Sequence, residues 1–145
     1  MTRVDFYILP DVDIEARLRF ACRLAHKAIG TGQRVHVHVD DAAASRDLDG
    51  LMWEYPEQQF LPHGIAGEPA AARAPVVIDH REPTGGHDEL LINLSGSIPT
   101  FFGRFERVAE IVVQKAREAG RDRYKYYRDR GYPLFSHDLG QQEER

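Results

Sequence analysis

The hydrophobic positions along this 145-residue chain change their period several times, and each change marks an element. Val4-Asp5-Phe6-Tyr7-Ile8-Leu9 is rich in β-branched and aromatic residues and ends at Pro10, which predicts a first strand. Ile14, Leu18, Ala21, Cys22, Ala25 and Ile29 then recur at three- and four-residue steps. That spacing predicts a helix capped by Asp11 or Asp13 and stopped at Gly30-Thr31-Gly32. Val35, Val37 and Val39 alternate with His36 and His38 in a second strand, and Asp40-Asp41 caps a helix that runs to about Trp53. Strand, helix, strand, helix in this order predicts parallel βαβ units with a right-handed crossover.

The middle is less regular. A connection from Tyr55-Pro56-Glu57 leads through Phe60-Leu61-Pro62-His63 into a Gly- and Ala-rich passage ending near Arg73. Residues 75–79 read as a strand, 81–87 as a polar loop, and the apolar run 90–94 as a buried central strand. A short helical turn near 99–104 precedes a strand at 107–113, and a helix from Lys115 to Tyr132 closes the fold. Residues 1–145 therefore read as a single α/β domain, with about 137–145 expected to be a flexible tail. The expected architecture is three-layered, a mostly parallel sheet flanked by helices in a Rossmann-like order.

A chain of this size buries a core without disulfides or a structural metal. Cys22 is the single cysteine, so no disulfide framework is expected and a reducing compartment is natural. No charged-then-apolar leader opens the sequence, and no apolar run approaches the roughly 18 residues of a membrane span. A soluble cytoplasmic domain is expected, with no membrane partner.

Charge changes the picture most at the last helix. Residues 115–130 carry seven Lys or Arg against three acids, a window of +4 in a chain of net −4, so the remainder sums to −8. A basic element on an acidic protein points to a negatively charged partner, either nucleic acid or an acidic peptide. Arg117, Arg121, Tyr124, Lys125 and Arg128 stand at helical spacing and share a face. Arginine forks pair with carboxylate or phosphate through two hydrogen bonds. Tyr124, Tyr126, Tyr127 and Tyr132 interleave with the charges, and Ile111, Val112 and Val113 lie just before them. A greasy pocket ringed by cations suits a short acidic peptide with an aromatic residue at its free carboxyl end. The rival is direct binding of single-stranded nucleic acid by stacking and phosphate contacts, against which the sequence pI of about 6.0 argues.

Other candidates are weaker. His36 and His38 fall on one face of a strand and could hold zinc with His63, His80 or His87, but no thiolate pair or HExxH spacing supports this. The plainer reading is an exposed or sheet-edge polar face. Gly30 and Gly32 follow a helix instead of opening one, and GxxxxGK[ST] is absent, so no nucleotide site and no cofactor are expected. Ser95-Gly96-Ser97 lacks the GxSxG frame of a nucleophile elbow, and no catalytic residue is assigned. Trp53, Tyr55, Pro56, Phe60, Leu61 and Pro62 crowd large apolar side chains into an irregular stretch, the composition of a protein interface.

Asp5-Phe6-Tyr7-Ile8-Leu9, the run Phe60-Leu61-Pro62-His63-Gly64-Ile65-Ala66-Gly67-Glu68, Pro75-Val76, and Arg121-Asp122-Arg123-Tyr124-Lys125-Tyr126-Tyr127-Arg128 together resemble the chi subunit of bacterial DNA polymerase III. The resemblance spans almost the whole chain in order and length. It implies a non-catalytic clamp-loader accessory subunit with a nucleotide-binding-like α/β fold that binds no nucleotide. Its implied partners are the psi subunit and the acidic C-terminal tail of single-stranded-DNA-binding protein, with nucleic acid met only indirectly. By position, the tail-binding role falls on Arg117, Arg121, Tyr124 and Lys125 with Val112 as a pocket wall, and Arg128 adds longer-range attraction. The psi-facing role falls on Trp53, Phe60 and Pro62.

Overall fold

The structure, a computed structural model, describes residues 2–57, 59–84 and 89–140. Seven strands form one sheet among these residues: β1 (Arg3–Ile8), β2 (Val35–His38), β3 (His63–Ile65), β4 (Val76–Asp79), β5 (Leu90–Asn93), β6 (Arg107–Val112) and β7 (Leu134–Asp138). Their spatial order is β3-β4-β2-β5-β6-β1-β7, and every neighbouring pair is parallel. Three helices cover the faces: α1 (Glu15–Gly30), α2 (Ala42–Glu54) and α3 (Arg117–Asp129). This is the expected three-layer α/β arrangement, with an all-parallel sheet.

Strand alternation sorts the core into two halves. Tyr7, Leu9, Val35, Val37, Ile78, Ile92, Ala109 and Ile111 face one way, against Ala21, Cys22, Ala25 of α1 and Leu48, Met52 of α2. Val4, Phe6, Leu91, Val108 and Val112 face the other way, against Phe102, Phe105 and Tyr127. Parallel sheets need both faces covered, and these two apolar layers meet that requirement. Buried Cys22 belongs to the α1 layer, where burial pushes its thiol up to about 11. Among the described residues, no helix is long and apolar enough to cross a membrane.

Three differences from the sequence reading have physical causes. The α2 cap is as expected, with Asp41 Oδ1 accepting from the Ala44 amide at 2.8 Å, but α1 starts after Ile14 with no side-chain cap. There the Ala16 amide donates to the Asp13 carbonyl instead. β3 and β7 were not foreseen, because both are short edge strands that lack an apolar run. β3 is only His63–Ile65, set against β4 and a 3₁₀ turn at Pro69–Ala72. A Cβ on Gly64 would lie 2.4 Å from the Ala71 backbone nitrogen, so the chain can pack this closely only at a glycine. β7 is half-buried or exposed along its whole length, and it takes His137 and Asp138 into the sheet where a tail was expected to begin. Residues 141–145 of that expected tail lie outside the described residues.

β7 is joined to the rest through Asp5. This fully buried carboxylate accepts from Arg107 Nε at 2.8 Å and Arg3 Nη2 at 3.0 Å, and faces His137 Nε2 at 2.9 Å. Burial alone would raise its pKa, yet His137, Arg3 and Arg107 together hold it below the usual carboxylate range.

Candidate functional site

α3 lies across β6 and β1 on the second face of the sheet. Glu118 in its first turn and Arg128 in its last both complement the helix dipole. Its closest approach is at Gly120, which is buried, and a Cβ there would lie 2.9 Å from both Val112 methyl carbons. The glycine lets the helix settle onto β6 and leaves a hollow beside the contact.

That hollow is a cavity of about 170 Å³. Strand register builds its floor, because Phe6 is level with Glu110, Ile8 with Val112, and Ser136 with Phe6 across β7. Phe6, Ile8 and Val112 supply the apolar surface, with Ser136 at the β7 side. Arg117, Arg121 and Tyr124 rise over the other wall from α3. The Tyr124 ring rests on Phe6 at 5.2 Å between centroids. A cavity of about 150 Å³ is enough for one benzene ring.

The helix's cations divide by direction. Arg117 donates to Gln114 Oε1 at 3.2 Å, and among the described residues Arg117, Arg121 and Lys125 have no carboxylate within ion-pair distance. Arg117 and Arg121 border the cavity, while Lys125 and Arg128 share the helix without lining it. Arg128 is paired with Asp129 at 3.1 Å. Arg123 turns inward, its Nη2 donating to the Ser95 carbonyl at 3.3 Å and its Nη1 standing 3.9 Å from Glu110. Of the expected tail-binding residues, the structure therefore brings Val112, Arg117, Arg121 and Tyr124 together around one cavity. Phe6, Ile8, Gly120 and Ser136 were missed. Only Gly120 carried a local signal, as a glycine inside a helix.

Beneath α3 a buried polar network fixes its depth. Tyr127 Oη donates to Glu110 Oε2 at 2.8 Å, and Asn93 Nδ2 donates to the same oxygen at 3.0 Å. Burial pushes the Glu110 carboxyl up despite Asn93, Arg123, Tyr127 and Arg17, and burial with the Glu110 charge pushes the Tyr127 phenol up. Asn93 Oδ1 also accepts from the Ser95 amide at 3.1 Å, which ties the Ser95-Gly96-Ser97 turn to the network. Ser95 is buried in this hydrogen bonding, so it is a structural turn residue.

The aromatic cluster lies elsewhere, where α2 meets the β3–β4 edge. Trp53 is 62% exposed and Phe60 67% exposed, with ring centroids 6.1 Å apart. Trp53 rests edgewise on His63 at 4.9 Å. His63 is itself held between the Leu61 carbonyl (2.6 Å) and the Asp49 carboxylate (3.0 Å). Leu61 is buried and Pro62 half-buried, so only Trp53 and Phe60 offer whole ring faces to solvent.

His36 and His38 do share a face, their rings 6.3 Å apart, but the expected exposed or edge position is corrected. β2 lies inside the sheet between β4 and β5, and the two rings pack against Phe101 and Phe105. Burial lowers the His38 pKa despite Asp79 and Asp40. Among the described residues, no three His, Cys, Asp or Glu side chains converge as a metal site, and His87 lies outside those residues.

The family described as DNA polymerase III chi subunit, HolC, matches residues 1–135. The chain belongs to the DNA polymerase III chi-subunit family. A DNA polymerase III subunit chi from Pseudomonas aeruginosa is 48% identical over 141 residues, which cover 96% of this chain and 98% of the relative. The subunit chi of Escherichia coli is 30% identical over 141 residues, covering 92% and 96%. That of Haemophilus influenzae is 28% identical over 138 residues, covering 93% and 96%. As a chi-family chain, the protein has an accessory role in replication.

Proposed function

We propose that this chi-family chain is a cytoplasmic, non-catalytic adaptor of the DNA polymerase III clamp loader. In this reading it holds the acidic C-terminal tail of single-stranded-DNA-binding protein in the α3 cavity. It meets the psi subunit through Trp53, Phe60 and Pro62. The observation that carries the reading is an apolar hollow sized for one ring beneath two arginines that lack carboxylate partners. Arg121 takes the tail's terminal carboxylate, and the terminal phenylalanine ring enters between Val112 and Tyr124. Arg117 keeps the acidic residues near, and Lys125 and Arg128 act on them at longer range.

Burying such a ring contributes roughly 2–3 kcal/mol. The charge-assisted terminal hydrogen bonds add about 1.5–3 kcal/mol. These two terms supply only part of a micromolar affinity of about −8 kcal/mol, which is the expected value; contacts of the tail's other residues must supply the rest and offset the cost of association. The test is fluorescence anisotropy with a peptide ending Asp-Ile-Pro-Phe, the same peptide amidated, and a short oligothymidine. Binding of the free-carboxylate peptide alone, weakened at least tenfold by Arg121→Ala, supports the adaptor. Oligothymidine binding without peptide binding would recast α3 as a nucleic-acid surface.

A further inference from the structure

A second cavity, of about 400 Å³, opens on the opposite face of the sheet between α1 and the strands β6, β1 and β7. Neither the tail nor the psi role uses it. Its walls combine two kinds of surface. Phe20 and Leu24 from α1 give an apolar side, while Arg23, Lys27 and Arg107 bring three cations. Among the described residues, no carboxylate side chain lines it.

The central cation is held in place before any ligand arrives. Arg107 Nε donates to Asp5 Oδ2 at 2.8 Å from within the wall. The other side of its guanidinium reaches the Tyr7 hydroxyl and, at a weak 3.4 Å, Gln33 Oε1. Asp5 does not neutralise the site, because its single negative charge also serves Arg3 and faces His137. His137 stacks on Tyr7 at 4.8 Å, which further fixes that wall. Lys27 and Arg23 are exposed, and the Arg23 guanidinium lies 5.5 Å from the Phe20 ring. A fixed guanidinium beneath an exposed cationic rim, in which Arg23 donates to the Tyr55 hydroxyl at 3.0 Å, lies beside an apolar wall and is preorganised for an anion attached to an apolar body.

We propose that this cavity is a binding site for a small organic anion, with a phosphate or carboxylate head on Arg107 and Lys27 and an aromatic or apolar body against Phe20 and Leu24. A bare inorganic anion would leave the apolar wall wet, and a neutral aromatic would leave the cations unpaired. The site therefore selects for both parts together.

The experiment is amide chemical-shift titration of the full chain with phenyl phosphate, phenylacetate, inorganic phosphate and benzyl alcohol. Saturable shifts at Lys27, Thr31 and Gln33 are expected with phenyl phosphate or phenylacetate, with half-saturation at about 1 mM or below. Whichever binds tighter names the head group. Lys27→Glu should weaken that binding at least tenfold with the spectrum otherwise retained, while Lys27→Arg preserves it. Absence of saturable shifts, equal shifts with inorganic phosphate, shifts confined to α3, or unchanged affinity in Lys27→Glu would each overturn the proposal. Because Lys27 is exposed and lies far along the chain from α3, these outcomes are independent of the tail-binding result.

Discussion

At the β1–β7 side of the sheet an apolar hollow is sunk beneath two arginines, while near the β3–β4 edge two aromatic rings stand out in water. The first surface is concave and charged. In the proposed function it would admit one side chain, with its cations setting the direction of entry. The second presents two exposed rings, so it needs a groove on a partner and gains mainly from the area it buries. Recognition at the first should depend on ionic strength and on one terminal carboxylate. At the second it should depend on shape. In the proposed function the two partners would compete little, since the surfaces lie toward opposite ends of the strand order and on different layers.

The largest test of this contrast removes the support under α3. Glu110→Ala leaves Tyr127 Oη, Asn93 and Arg123 facing an empty buried position, and urea unfolding should show a loss of about 3 kcal/mol. Glu110→Gln should cost less and reveal the charge. Burial raises the folded pKa of Glu110 above the ordinary glutamate value of about 4.5, so the native state keeps a proton that the unfolded chain releases. Its contribution is therefore fully present below about 4.5 and is lost as pH rises through the folded value. Relative to wild type, the Glu110→Gln stability curve should be flatter across that window. Parallel curves would mean that Glu110 titrates normally.

Gly120→Val comes next. Its side chain collides with Val112, so α3 must lift, costing about 1–3 kcal/mol and deforming the cavity floor. Tail-peptide affinity should fall sharply while binding through the Trp53–Phe60 patch is retained. Equal loss at both surfaces would show that they are not separate.

Smaller in free energy is the patch itself. Trp53→Ala with Phe60→Ala should leave the unfolding midpoint nearly unchanged, because both rings are mostly exposed, yet weaken psi binding by at least tenfold in a pull-down titration. The smallest effect is the salt response. Tail affinity should drop severalfold between low and physiological salt, whereas patch binding stays level. A salt-insensitive tail affinity would remove Arg117, Lys125 and Arg128 from the electrostatic account.

Sequence patterns reached far into this fold and stopped at identifiable places. Strands β1, β4, β5 and β6 were legible as apolar runs because burial on both faces demands continuous hydrophobicity, and β2 by the alternation of its valines with His36 and His38. The basic face of α3 was legible because helical spacing is a local property. What stayed hidden was non-local. Ser136 and Ile8 reach the cavity only through strand register, and Arg123 sits in the same basic run as Arg121 but turns to Glu110 across the sheet. His36 and His38 read as polar, yet β2 lies between two other strands and buries His36 among phenylalanines.

The chain's own order of residues determined its α/β class, its family, the excess charge on α3 and the crowding of rings near Trp53. These depend on periodicity and composition, which local sequence contains in full. Only the tertiary structure decided which cations point at solvent, which at a cavity and which at a buried acid. It alone also brought α1, β6 and β7 around a second cation-lined cavity. The physical reason is that a side chain's charge is written in the sequence, but its desolvation and its partners depend on neighbours that lie, for Asp5 and Arg107, 102 positions away.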